Sequence, residues 1–177
     1  SAIYKTDRFL IDACVDEKRH DKPFSAVRLL TDIAASFQPY AERLGITLIS
    51  DTQGEPLLSC DHESLERVLC NLISNAIQNT PAGGTVHVAV VSENERAVFL
   101  VSDTGCGIDP NRVRDFLAGE QAAGLGLSII SRLTKEIGGT LDCRSETGVG
   151  TSVAVRVPQE SVSFSAQSAP KNAAASI

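Results

Sequence analysis

The sequence predicts an α/β fold: a two-layer sandwich in which a mixed, mostly antiparallel sheet packs on about three helices. Two pairs of apolar, alternating segments joined by short polar or glycine-containing turns read as antiparallel hairpins, Thr85–Val91 with Ala97–Ser102 and Thr140–Ser145 with Thr151–Val157. The amphipathic helical segments are grouped rather than alternating one-for-one with strands, so a doubly wound parallel sheet is excluded. Glycine-rich loops lie between strand and helix signals, where the backbone can approach a ligand closely.

The elements follow in order. Ile3, Leu10, Ile11, Cys14 and Val15 recur at roughly helical spacing and predict a helix that ends near His20, with Pro23 beyond it. Phe24–Arg28 reads as a short strand. Leu30, Ile33, Ala34, Phe37, Tyr40, Ala41 and Leu44 make one stripe of a helix over Leu29–Leu44, which Gly45 stops. Ile46–Ser50 and Pro56–Cys60 read as strands around the turn Gln53-Gly54. Asp61 is an N-cap, with Glu63 beside the positive end of a helix that runs to about Asn79 and stops at Thr80-Pro81-Ala82-Gly83-Gly84. After the first hairpin come a glycine loop at Asp103–Gly107, a short helix at Pro110–Leu117, and a helix over Gly124–Ile137 closed by Gly138-Gly139. From Gln159 onward Ser and Ala dominate, which reads as a tail or linker.

Composition bounds the function. The chain has 177 residues, 42% hydrophobic and 21% charged, enough for one domain with short appendages and a core that needs neither disulfides nor metals. A net charge of −6 argues against a nucleic-acid binder. No apolar run approaches the ~20 residues of a membrane span, and no signal peptide pattern opens the chain, so a cytoplasmic location is expected, with anchoring of a longer parent protein left open. Cys14, Cys60, Cys70, Cys106 and Cys143 are widely spaced without a CxxC pair, as reduced thiols would be, and His20, His62 and His87 show no metal-ligand spacing.

Three segments carry the chemistry. Asn71 and Asn75 are four apart on the helix that Asp61 caps, with Gln78 one turn on, a polar stripe among Leu65, Val68, Leu69, Leu72, Ile73, Ala76 and Ile77. A solvated helix face would explain the stripe, but carboxamides also suit Mg²⁺ and phosphate oxygens. Ser102-Asp103-Thr104-Gly105-Cys106-Gly107-Ile108 follows a strand, where a carboxylate can accept from an amino group and glycines admit a ligand close to the backbone. A plain strand-to-loop turn is the alternative. Gly124-Leu125-Gly126-Leu127-Ser128 opens a helix, and backbone N–H groups there bind anions, although a tight helix entry needs the same glycines. Neither GxGxxG nor the P-loop is present.

Taken together, in this order and spacing, the segments resemble the N box and two glycine boxes of the sensor histidine kinase catalytic and ATP-binding domain, whose superfamily includes DNA gyrase and MutL. The likeness spans residues 24–158 and includes the run LERVLCNLISNAIQNTPAGG and the final hairpin from Gly148 to Pro158. It implies the histidine kinase ATP-binding fold, with a dimerisation-helix end or linker at 1–23, the catalytic domain at 24–158 and a tail or linker at 159–177. It also implies ATP and Mg²⁺ as ligands and phosphoryl transfer to a histidine outside this sequence. Asp103 would take the adenine amino group with Thr151 beside it, Gly105 and Gly107 would shape the loop, and Ile77 and Ile108 would be apolar walls. Asn71 would ligate Mg²⁺, Asn75 and Gln78 would lie toward the phosphates, and Gly124, Leu125 and Gly126 would offer backbone amides. Implied partners are the dimerisation and phosphoacceptor domain of the same protein, in a homodimer, and a response regulator receiver domain.

Asn71 stands where ATP-hydrolysing relatives carry a glutamate, and a carboxamide cannot act as a general base, so kinase is favoured over hydrolase. The chain departs from the family in a short segment between the glycine boxes, Ile108–Ala123, and in Gln78-Asn79 where a cation often stands. Arg112 and Arg114 are the nearest basic candidates for the phosphates, and both could equally face solvent from a short helix. These departures keep a second reading open: a degenerate, non-catalytic domain acting as a regulatory protein-interaction module.

Overall fold

The computed structural model describes residues 22–120 and 125–160. The helix expected over residues 3–19 and the tail beyond Glu160 lie outside the described residues, as does Gly124.

Strand β1 (Phe24–Ser25) leads directly into helix α1 (Ala26–Arg43). The short strand expected to reach Arg28 ends at Ser25 because the Ser25 hydroxyl accepts the N–H of Arg28 at 3.1 Å and so caps the helix. Strands β2 (Thr47–Gln53) and β3 (Leu57–Leu58) follow, the latter pairing with β1 in a two-stranded ribbon. Helix α2 (His62–Asn79) starts where the sequence places it, with an Asp61 carboxylate oxygen accepting from Ser64 N–H at 2.9 Å. Its apolar residues Leu65, Val68, Leu69, Leu72, Ile73, Ala76 and Ile77 are all buried.

Next come β4 (Thr85–Glu93) and β5 (Arg96–Asp103), with Asn94 and Glu95 both at positive φ in the turn, the backbone that a two-residue hairpin connection requires. Helix α3 (Pro110–Ala118), helix α4 (Leu125–Glu136) and the hairpin of β6 (Thr140–Glu146) and β7 (Gly150–Pro158) complete the described chain. The main sheet runs β2-β4-β5-β7-β6, parallel between β2 and β4 and antiparallel elsewhere, so the mixed, mostly antiparallel sheet of the sequence reading is present.

Alternation sends Val86, Val88, Val90, Phe99, Val101, Val153, Val155 and Val157 to one face of that sheet, where they are buried in the core with residues of α1, α2 and α4. Burial of this apolar surface drives assembly of the two layers. No disulfide joins the four described cysteines. No helix among the described residues is long and apolar enough to cross a membrane.

Candidate functional site

The end of the sheet where β5 finishes and β7 begins holds the site. Asp103 is the last residue of β5 and pairs across the ladder with Thr151. One carboxylate oxygen, Oδ1, accepts the N–H of Gly105 at 2.8 Å. Burial pushes the Asp103 carboxyl above the usual carboxylate range, opposed by the backbone N–H groups of Gly105 and Thr151. An ionised carboxylate has about four lone-pair sites, so these two donors leave acceptor capacity for a ligand.

The end of α2 and the β6–β7 hairpin hold the loop after Asp103 in place. Cys106 N–H donates to the carbonyl of Asn79 at 3.2 Å, and Gly148 N–H donates to the carbonyl of Cys106 at 2.8 Å. The Ser145 hydroxyl accepts Ile108 N–H at 2.7 Å and donates to the Gly150 carbonyl at 3.1 Å. Because its one hydrogen is used there, Thr151 must be the donor in the 2.9 Å contact between the two hydroxyls. Gly107 has a φ of +74°, and a Cβ there would lie 2.3 Å from the carbonyl oxygen of Glu146. At Gly105 a Cβ would lie 2.3 Å from the carbonyl oxygen of Asn79. Both glycines are needed because backbone packs on backbone.

Between this loop, α2 and α4 opens a cavity of about 250 Å³. That is just under the ~300–1,000 Å³ of drug-sized ligand sites and matches a base better than a whole nucleotide. Its apolar wall comprises Leu72, Ala76, Val101, Ile108, Leu127 and Val153, and its polar groups include Asn75, Asn79, Asp103, Arg112 and Thr151. Of the site residues singled out in the sequence, Asn75, Asp103, Gly107, Ile108, Gly126 and Thr151 therefore meet around one cavity. Gly105 and Gln78 border a neighbouring hollow with Thr80, Pro81 and Thr104, and Gln78 Nε2 donates to Ser74 Oγ at 3.1 Å. Asn71 borders neither; it sits one turn before Asn75, half-buried, with Nδ2 donating to the carbonyl of Arg67 at 2.8 Å. Ile77 is fully buried in the core and Leu72 and Ala76 form the wall in its place. Leu125 begins α4.

The cavity thus takes the α2 stripe Leu72, Asn75, Ala76 and Asn79, at spacings of three, four and seven, rather than the stripe of Asn71, Asn75 and Gln78. Asn79 was missed in the sequence although it lies four residues after Asn75. Ser145 was missed as well, and a lone serine in a strand gives no signal of its own. The Asn75 carboxamide has no hydrogen-bond partner among the described residues and lies 3.7 Å from where a Cβ on Gly126 would be, so the helix entry and the asparagine face each other. Arg112 is the one Lys or Arg among the described residues around the cavity.

Comparison with known proteins bears on the family and the fold. Residues 60–161 match the family described as histidine kinase-, DNA gyrase B- and HSP90-like ATPase. The circadian input-output histidine kinase CikA of Synechococcus elongatus is 32% identical over 155 residues, covering 80% of this chain and 21% of that protein. The chain therefore spans about a fifth of that relative's length. The solved full-length ShkA in complex with AMPPNP is 32% identical with a TM-score of 0.67, over 78% of this chain and 31% of that one. The nucleotide-free catalytic domain of the histidine kinase ThkA is 21% identical with a TM-score of 0.70, over 78% of this chain and 96% of that one, which is a likeness of fold.

Proposed function

The chain belongs to the histidine kinase-, DNA gyrase B- and HSP90-like ATPase family, and from that premise we propose that it binds Mg-ATP and delivers the γ-phosphate to a histidine on another domain of a sensor kinase. The observation that carries this is the convergence of the half-buried Asp103 carboxylate, the pinned glycine loop and the Asn75–Gly126 pair on one base-sized cavity. A carboxylate at the closed end suits the amino hydrogen of adenine, and Thr151, whose own hydrogen is engaged by Ser145, offers an acceptor beside it.

The triphosphate extends toward α4, where Gly126 leaves the helix start close to Asn75. Asn71 and Asn75 fit a hard cation: their carboxamide oxygens have no hydrogen-bond partner among the described residues, and no cluster of three or more His, Cys, Asp or Glu competes for a metal there. Mg²⁺ bound with the nucleotide supplies charge neutralisation at the phosphates. Asp103 is the sole carboxylate around the cavity among the described residues and is committed to the base, so none of them there serves as a general base for water. Retention of the γ-phosphate for transfer follows. We further propose residues 24–158 as the catalytic domain, flanked by a dimerisation-helix end or linker and a tail, with a homodimeric parent protein and a response regulator receiver domain as downstream partner.

Titration calorimetry with ATP tests the reading. Binding with a dissociation constant of tens of micromolar, about 6 kcal/mol in magnitude, is expected, weakened by EDTA and by Asn71→Ala, with negligible phosphate release. Absence of nucleotide binding would leave the regulatory-module reading, and rapid phosphate release would make the chain a hydrolase.

A further inference from the structure

Arg112 and Arg114 are two residues apart on α3, and sequence alone does not separate them. The fold does. Phe116, four residues after Arg112, is completely buried in the core, with Val113 and Leu117 packed against the same cluster. Residues four apart share a helix face, so the anchor that fixes α3 brings Arg112, itself exposed, to the rim of the cavity. Both arginines are exposed, but Arg114 does not line the cavity, and its Nη2 donates to Asn111 Oδ1 at 3.2 Å.

The helix that carries Arg112 is held at both ends. Asp109 Oδ1 accepts Asn111 N–H at 2.9 Å at its start. At its end Gly119 adopts a left-handed cap and Lys135 Nζ reaches the Ala118 carbonyl at 3.4 Å. A pre-positioned guanidinium costs less to order on binding than one carried by a free loop. The cavity also has a charge problem to solve. The one carboxylate around it among the described residues, Asp103, and a chain of net charge −6 repel a polyphosphate, while Gln78-Asn79 supplies no cation at the end of α2.

We propose that Arg112 is the specificity-determining contact for the polyphosphate part of the nucleotide, distinguishing adenosine di- and triphosphate from ligands that carry the base alone. The assignment rests on the nucleotide reading above and adds to it the residue that reads the phosphates. A guanidinium pairs with two phosphate oxygens through parallel N–H donors, which an ammonium cannot reproduce.

The test compares adenosine, ADP and Mg-ATP by calorimetry on the wild-type chain, Arg112→Ala and Arg112→Lys, with Arg114→Ala as the matched control. ADP and ATP should bind about tenfold or more weakly to Arg112→Ala, adenosine should bind unchanged, and Arg112→Lys should fall between. Arg114→Ala should match wild type for all three. If ADP and ATP bind Arg112→Ala as tightly as wild type, the proposal falls and the adenine pocket stands. Equal weakening of adenosine and ADP also overturns it, because the arginine would then be supporting the pocket wall. If the wild type binds none of the three, both readings fall, and the missing adenosine signal identifies the base pocket as the one at fault.

Discussion

The two ends of the cavity are built on different principles. At the Asp103 end the loop and strand groups are tied to protein partners: Oδ1 with Gly105 N–H, Ser145 with Ile108, Gly150 and Thr151, and the Cys106 carbonyl with Gly148 N–H in the β6–β7 turn. At the α4 end the Asn75 carboxamide has no hydrogen-bond partner among the described residues, and Gly126 faces it with room for no more than a methyl group at ordinary contact distance. A rigid end can select a flat base by shape and by one acceptor, because its groups do not rearrange to suit a wrong ligand. An open end with uncommitted donors accommodates phosphates and a cation whose positions change during transfer. Rigidity and chemistry are thus separated between the two ends of the cavity.

Substituting the glycines should break this contrast most visibly. Gly107→Ala places a Cβ 2.3 Å from the Glu146 carbonyl oxygen at a positive φ, and both neighbours are backbone that cannot swing aside. A loss of about 3 kcal/mol or more is expected in denaturant unfolding, with nucleotide binding lost alongside.

Asp103→Asn sharpens the same contrast by removing recognition without removing structure. Its amide oxygen can keep the Gly105 N–H, which points the NH₂ at a donor of the base. Adenine nucleotide binding should weaken by about 2–3 kcal/mol or more in calorimetry while the unfolding midpoint holds. The pH dependence follows from the raised pKa of the native carboxyl. Protonation favours the fold, so this group's contribution to stability is full below the unfolded pKa near ~3.9 and is lost as pH rises through the raised folded value. Nucleotide affinity runs the other way, since the acceptor must be ionised, and it should fall as pH drops through that same raised value. Asp103→Asn should flatten both profiles.

Smaller effects are expected from the tie between strand and loop. Ser145→Ala removes the acceptor for Ile108 N–H and the partner of Thr151, at about 1 kcal/mol in stability with a matching loss in nucleotide affinity. Gly126→Ala is the mildest and the most diagnostic. Its Cβ would meet the Asn75 carboxamide at an ordinary 3.7 Å, and alanine favours helix, so stability should hold or rise by up to about 1 kcal/mol. Nucleotide affinity should nevertheless drop, because the methyl group occupies the phosphate path. A melting scan beside a titration reads both at once.

Much of this was legible in the sequence because it is local. Asp61 capping α2, the two hairpins with their alternating valines and the stop after Asn79 each rest on residues within one turn or one strand. Asp103 and the glycines after it were equally readable, since a carboxylate at a strand end followed by Gly-x-Gly limits what the loop can do. The start of α1 was less so: Phe24 and Ser25 favour strand, and the Ser25 side chain converts the following residues to helix only by capping them.

What the sequence determined by itself was therefore the set of elements, the packing face of each strand and the kind of chemistry at the end of β5. The tertiary structure alone decided which of two adjacent α2 stripes faces the cavity, placing Leu72, Asn75, Ala76 and Asn79 there and leaving Asn71 and Gln78 aside. It also decided between Arg112 and Arg114 and brought in Ser145 from a strand far along the chain. Neighbouring stripes on a helix differ by one residue step of rotation, and periodicity fixes the spacing within a stripe but not the angle at which the helix docks. That angle is set by burial of Ile73 and Ile77 beneath α2 and of Phe116 beneath α3, contacts between residues distant in sequence that exist only once the layers have packed.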